Sequence, residues 1–202
     1  MSWRLWLVAV MLMVGTGFAE PRRQVGRVGD VPVYADQITG QTATERADSP
    51  RALATRQALA DWYAGNAAAT ALSDDERRML IAQIEAYAAC SGNGYTLPTD
   101  PAWREAALQM LGGNAKVQKR LYDQFGGGRL LFQQAGVRAF DATRRLLEQR
   151  EREGAFTFTD PAVRALAYDY WTRDHGAFLI SDPAKIARAL DVRSAIATCP
   201  PA

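Results

Sequence analysis

His175 is the only histidine of the chain, and it directly follows Asp174 near the end of a predicted helix. A histidine oriented by a carboxylate is a common pair for acid–base chemistry at neutral pH. Adjacent helical side chains point about 100° apart, however, so sequence adjacency does not make such a pair. The helix C-terminus also favours a protonated imidazole for structural reasons. We therefore interpret His175 as structural and assign no catalytic residue.

Two other clusters have the composition of a chemical site but the wrong arrangement. The glycines at 126–128 follow a predicted helix and precede a strand, the reverse of the order that points a helix N-terminus at a phosphate. Asp74, Asp75 and Glu76 follow Ser73 in a predicted first helical turn, where carboxylates complement the helix dipole. They lack the alternating ligands and glycine bend of a calcium loop. The sequence thus predicts no cofactor and no metal site.

Residues 1–19 have the order of a secretory signal peptide. Arg4 provides the positive start, an apolar run follows, and the small residues Gly17 and Ala19 precede the expected cut. The apolar run is shorter than the roughly 20 residues of a membrane-spanning helix, which argues against a membrane anchor. We predict cleavage near Ala19, a periplasmic or secreted location, and no stable membrane insertion after cleavage.

The rest of the chain, residues 20–202, is predicted to form a single domain. Over the full sequence, 24 Lys and Arg residues nearly balance 22 Asp and Glu residues, and both signs alternate along the helices, as in residues 144–153. Such alternation indicates a solvated helix face and argues against a nucleic-acid partner. Asp-Pro steps at 100–101, 160–161 and 182–183 recur without a fixed period and indicate helix starts.

The predicted fold is mainly α, a bundle of about six or seven helices with a small antiparallel sheet of two or three strands. The helices are expected at residues 51–72, 73–90, 100–111, 114–125, 140–152, 160–171 and 182–190. Residues 37–49 are polar and are predicted to form a loop or a poorly formed turn of helix. Gly112 and Gly113 are predicted to end the third helix, with Asn114 capping the fourth.

A hairpin is predicted at residues 24–34, turning at Gly29 and Asp30. Pro32 has no N–H to donate to a neighbouring strand, so the second strand should lie at an open edge. Residues 129–134 are too short for a stable helix and predict a buried strand that needs a partner. We expect the hairpin to be that partner.

Most aromatic side chains fall on predicted inner helix faces. In the sixth helix this face contains Val163, Leu166, Ala167, Tyr170 and Trp171. Tyr168 falls outside it.

With Pro32 and Tyr34 on the hairpin edge, Tyr168 is predicted to line an apolar groove for extended polypeptide. The alternative is that these rings are ordinary, singly scattered surface aromatics.

The segment VGRVGDVPVYADQI, residues 25–38, resembles the start of the N-terminal region of SurA-like periplasmic chaperones, which belong to the parvulin-type isomerases. That resemblance implies a hairpin leading into a helical domain that cradles unfolded outer-membrane proteins. Gly29-Asp30 stands where the family usually has Asn-Gly or Asp-Gly. With a single histidine the chain has no segment like the parvulin domain, so isomerase activity is not implied.

The sequence therefore favours an exported, non-catalytic domain that binds unfolded or extended polypeptide, including outer-membrane proteins. Two alternatives stay open: a small periplasmic hydrolase or transferase whose acidic residues meet only in the fold, and a structural subunit of an envelope assembly. A cleft with convergent acids would favour the enzyme. An open apolar groove beside the hairpin would favour the binder, and a flat complementary patch the subunit.

Cys90 and Cys199 are the only cysteines, and an even pair in an exported protein predicts one disulfide. Neither belongs to a CxxC pair, so redox or metal roles have little support. Thiol labelling of the unreduced, denatured protein should find no free cysteine. Reduction should lower the free energy of unfolding, by up to about 4 to 5 kcal/mol on the chain-entropy estimate. Two labelled thiols without reductant would contradict the bridge.

Overall fold

The computed structural model describes residues 22–38, 42–91, 96–134 and 136–196. Helices account for most of these residues and the strands are short, so the predicted mainly-α class is confirmed. The predicted signal peptide and Cys199 lie outside the described residues, and the cleavage and the disulfide stay predictions.

Seven α-helices and six strands are present in the described part of the chain. The helices are α1 (Ala43–Thr70), α2 (Asp74–Ser91), α3 (Pro101–Leu108), α4 (Asn114–Gln124), α5 (Phe140–Arg152), α6 (Pro161–Thr172) and α7 (Pro183–Ala189). The strands are β1 (Gln24–Val28), β2 (Val31–Tyr34), β3 (Leu130–Gln133), β4 (Gly136–Arg138), β5 (Phe156–Phe158) and β6 (Leu179–Ile180).

The strands form two separate antiparallel sheets, which corrects the expected pairing. The hairpin β1–β2 exists, but its partner is β5, in the order β2-β1-β5. The predicted strand β3 pairs with β4 and β6 instead. These partners have only two or three residues each, too few to show a periodic pattern in the sequence. The hairpin and β3 still share one core, in which Val25 and Leu131 are buried.

Helix α1 begins well before the predicted start at residue 51, so residues 43–49 form regular helix where the sequence predicts a loop or a poorly formed turn of helix. Thr42 Oγ1 accepts a hydrogen bond from the Glu45 N–H at 3.1 Å, and the Glu45 carboxylate accepts from the Thr42 N–H at 2.9 Å. This reciprocal cap fixes the helix start. Pro50 therefore lies inside the helix, where its ring is fully buried.

The chain also stays helical through the glycines that were predicted to end the third helix. A wider π-helical turn, Gln109–Gly113, joins α3 to α4 without a break. Gly112 packs against Leu80 of α2, and a Cβ at this position would lie 2.3 Å from the Leu80 Cδ1 atom. The glycines thus permit close helix packing here and do not stop the helix.

Helix α5 lies at the centre of the molecule because it is buried on two sides. Phe140 and Leu147 pack with α1, α6 and the hairpin sheet, whereas Ala142 and Leu146 pack with α4, α7 and β3. A third cluster joins α2 to α3 and contains Leu80, Ile84 and Leu108. The two larger cores are therefore organised around α5.

A glycine turn and one ion pair attach β3 to the start of α5. The glycines at 126–128 all have positive φ and end α4, as predicted. The Asp141 carboxylate then accepts hydrogen bonds from the Arg129 N–H at 2.7 Å and from its guanidinium at 3.0 Å. Burial alone raises the pKa of Asp141, but the hydrogen bonds and charge of Arg129 outweigh it and hold the pKa below its usual range.

Replacing Gly128 by Ala should destabilise the protein by at least about 2 kcal/mol. Its φ of +104° disfavours a side chain, and an added Cβ would lie 2.6 Å from the Asp141 Cβ atom. Gly65→Ala is the matched control, because this glycine is exposed inside α1 with nothing within 4 Å of an added Cβ. It should stabilise the protein by about 0.5 to 1 kcal/mol. Urea unfolding midpoints measure both effects, and equal midpoints would contradict this account.

Candidate functional site

The candidate site is a cleft of about 490 Å³ between α1 and α6. Helices α4 and α5 and strands β3 and β4 form the rest of its wall. The lining residues are Arg51, Ala52, Thr55, Arg56, Leu59, Tyr63, Gln118, Leu121, Gln133, Arg138, Thr143, Tyr170 and Trp171. Among the described lining residues there is no Asp, Glu, His or Cys, so aromatic rings and arginines dominate the cleft.

Three arginines carry the charge of this described lining. Arg51 and Arg56 both come from α1, and Arg138 comes from the end of β4. In the described part of the chain, no carboxylate lies within ion-pair distance of Arg56 or Arg138. Many arginines outside the cleft are paired, and Arg129 and Arg164, for example, each form a two-pronged ion pair. The cleft is therefore a local concentration of positive charge.

Gln133 holds two walls of the cleft together. Its Oε1 atom accepts a hydrogen bond from the Arg138 Nε–H at 3.3 Å, and its Nε2–H donates to the Tyr170 hydroxyl. Because the Tyr170 oxygen accepts this bond, its own O–H can still donate. Arg138 and Tyr170 are thus fixed side by side with donor groups free for a ligand.

The ring of Tyr170 is supported from several sides. The His175 Nε2–H donates to the Tyr170 carbonyl oxygen at 2.8 Å, and the imidazole packs edge-on against the tyrosine ring with centroids 4.8 Å apart. The Arg51 guanidinium lies 4.6 Å from the centre of the same ring. Trp171 packs against it at a centroid distance of 5.0 Å. His175 therefore helps to hold Tyr170, which forms one aromatic wall of the cleft.

Buried amide and hydroxyl groups form the floor of the cleft. Gln118 is 1% exposed, and its Oε1 atom accepts a hydrogen bond from the Ala139 N–H at 2.8 Å. The Thr143 hydroxyl donates to the Ala139 carbonyl at 2.8 Å. On the α1 side, the Trp171 indole N–H donates to the Thr55 hydroxyl at 3.3 Å. These polar groups bond to the protein itself, which gives the cleft a fixed shape.

Pro32 and Tyr34 lie on β2, at the edge of the hairpin sheet as predicted. Neither residue lines the cleft. The Arg22 guanidinium covers the Tyr34 ring at 4.2 Å from its centre and also pairs with Asp36 at 2.8 Å. The structure therefore does not bring the two hairpin residues together with the cleft between α1 and α6.

Tyr168 corrects the prediction that it lines an apolar groove, because it is a core residue. Only 7% of it is exposed, and its hydroxyl donates to the Glu151 carboxylate at 2.9 Å. Burial, together with the charge of Glu151, raises the pKa of Tyr168. The inner face of α6 is rotated from the predicted one, so that Tyr168 is buried while Leu166 and Tyr170 are only half-buried.

The other clusters considered in the sequence are structural where they are described. Ser73 and Glu76 cap α2 reciprocally, with hydrogen bonds of 3.2 and 2.7 Å. Cys90 is exposed near the end of α2. Within the described ranges, no group of three or more His, Cys, Asp or Glu residues could hold a metal ion. None of the described helices combines the length and apolar character needed to cross a bilayer.

The fold and the site together define a class: a mainly-α domain with a cationic, aromatic cleft built without residues of its hairpin. No protein-family model matches the chain, and no curated protein or solved structure shows a significant match to it. The resemblance of residues 25–38 to SurA-like chaperones stays a prediction. The cleft must therefore be interpreted from its own geometry.

Sequence reasoning missed the arginines of the cleft, although one signal was present. Arg51, Thr55, Leu59 and Tyr63 recur at four-residue steps and so lie along one face of α1. Their mixed polarity hides this stripe from a search for apolar faces. Arg138 carries no such signal, because only the pairing of β4 with β3 brings it to the cleft.

Tyr168→Phe should lower the free energy of unfolding by about 1.5 kcal/mol, because it removes a part-buried hydrogen bond to a charged carboxylate. Tyr122→Phe is the control, since the Tyr122 hydroxyl has no hydrogen-bond partner among the described residues, and it should change stability by less than about 0.5 kcal/mol. Chemical denaturation compares them. A Tyr168→Phe protein as stable as the wild type would argue against the buried placement.

Proposed function

We propose that this protein is an exported, non-catalytic domain that binds unfolded or extended polypeptide in the manner of a chaperone. The observation that carries the proposal is the cleft between α1 and α6, which is lined by aromatic rings and arginine side chains. Aromatic and arginine side chains are the residue types that contribute most to protein-binding surfaces.

The shape of the site supports a binding role. Its walls are held by internal hydrogen bonds from Gln133 and Gln118, so the cleft is formed before any ligand enters. The charged groups of the described lining are guanidinium groups, which bind and orient but do not exchange protons near neutral pH. These features favour a binding domain over a hydrolase, whose acids would need to converge in the cleft.

Two exposed phenylalanines extend the apolar surface available to a chain. Phe132 on β3 is 54% exposed, and Phe178, which directly precedes β6, is 60% exposed. Phe132 belongs to the same sheet as Gln133 and Arg138 of the cleft, and Phe178 adjoins the β6 strand of that sheet. The proposed location is the periplasm or the cell exterior, reached through the predicted signal peptide at residues 1–19.

The test measures aggregation of a denatured outer-membrane protein after dilution, with and without excess wild-type protein. Wild type should suppress aggregation. Tyr63→Ala removes an aromatic wall of the cleft and should weaken suppression severalfold. Tyr87→Ala is the matched control, a half-buried tyrosine on α2 that does not line the cleft, and should behave as wild type.

The hairpin edge is tested in the same assay with Tyr34→Ala. Circular dichroism first establishes that each variant is folded at the assay temperature. Loss of suppression in Tyr34→Ala with full activity in Tyr63→Ala would move the binding site from the cleft to the hairpin. Unchanged aggregation with excess wild type would remove the chaperone proposal.

A further inference from the structure

We propose that the cleft selects carboxylate groups, and that its ligands are polypeptide segments in which Asp or Glu stands beside an apolar or aromatic residue. This inference rests on the proposed function and names the chemistry of its ligand.

The charge of the cleft is unbalanced. Arg51, Arg56 and Arg138 face the same space, and the described lining contributes no carboxylate. The chain as a whole has almost equal numbers of basic and acidic residues, so this local excess does not follow from composition. Arg56 and Arg138 have no carboxylate partner among the described residues, and two such charges along low-dielectric walls focus a positive potential on the cleft. An incoming anion is attracted by that potential.

The donors have the geometry that a carboxylate requires. Arg138 uses its Nε–H on Gln133, and its two amino groups have no hydrogen-bond partner in the described part of the chain. Arg56 makes no hydrogen bond or ion pair with any described residue. A guanidinium binds a carboxylate through two parallel N–H donors, which a lysine ammonium cannot do. The O–H of Tyr170 adds a neutral donor beside Arg138.

The size and walls of the cleft indicate what carries the carboxylate. A volume of about 490 Å³ accommodates a few side chains, which fits a short stretch of an extended chain. Leu59, Tyr63 and Trp171 offer apolar contact next to the arginines. An acidic residue with an apolar neighbour can bind both the arginines and the apolar side chains of the cleft. A small dicarboxylate or inorganic phosphate satisfies only the charged part.

The experiment measures fluorescence anisotropy of a labelled short peptide of alternating Glu and Phe with the intact mature protein. A second peptide has Gln in place of every Glu. We expect the acidic peptide to bind at least about tenfold more tightly than the amide peptide, as loss of charge-assisted hydrogen bonds predicts. Affinity for the acidic peptide should fall as ionic strength rises from about 0.05 to about 0.5 M.

Single-residue variants test whether the preference for the acidic peptide arises in the cleft. Arg56→Gln should lose about tenfold in affinity for the acidic peptide and nothing for the amide peptide. Arg188→Gln makes the same charge change on exposed α7, outside the cleft, and should bind as wild type. Arg138→Lys keeps the charge but loses the two-pronged donor, and its affinity should fall between wild type and Arg56→Gln.

Each of the other possible outcomes contradicts one part of the proposal. If the wild type bound both peptides equally and Tyr63→Ala bound neither, carboxylate selection would be overturned. The proposed function would still stand. Competition by free succinate or inorganic phosphate at the concentration of the peptide would move the carboxylate site from polypeptides to small anions. Equal losses in Arg56→Gln and Arg188→Gln would mean that net charge alone is sensed. Absence of binding by either peptide, together with failed suppression of aggregation, would overturn the proposed function itself.

Discussion

The attachment of β3 to α5 by Arg129 and Asp141 is the interaction on which the arrangement of the molecule depends. A carboxylate in the first turn of α5 accepts hydrogen bonds from both the backbone and the side chain of Arg129. The Arg129 carbonyl in turn accepts the Phe140 N–H at 3.0 Å. The chain is thereby fixed where a strand of one sheet meets the central helix. Gly128 is required because any side chain there would enter the space of Asp141.

From this junction the position of the cleft follows. Helix α5 has a core on each of two sides, so α1 and α6 pack on one of them and α4 and α7 on the other. Between α1 and the sheet containing β3, the space is lined by side chains of six elements. Gln133 and Gln118 cross that space with hydrogen bonds, and the walls keep their spacing without a ligand.

The distribution of ion pairs distinguishes the cleft from the rest of the surface. Most arginines outside it are matched with carboxylates a few residues or one helix away, as in the pairs of Arg150 with Asp61 and Arg164 with Glu151. Such pairs contribute little to stability individually, but they neutralise the surface. Arg56 and Arg138 are not neutralised by any described residue, and their guanidinium groups therefore have donors left for an anion in the cleft.

The sequence by itself determined the local structure: the mainly-α class, the hairpin turning at Gly29-Asp30, and helix starts such as Asp160-Pro161. Each depends on backbone chemistry within a few residues, such as a cap, a proline or a glycine. Only the tertiary structure decided which strands pair, that Tyr168 is buried, and that Arg56 and Arg138 share a cleft. The partner strands of the sheets are too short to carry a pattern, and residues far apart in sequence meet only when α1, β4 and α6 pack. The face of α1 that lines the cleft has mixed polarity, so its place in a binding site is visible only when the neighbouring elements are packed against it.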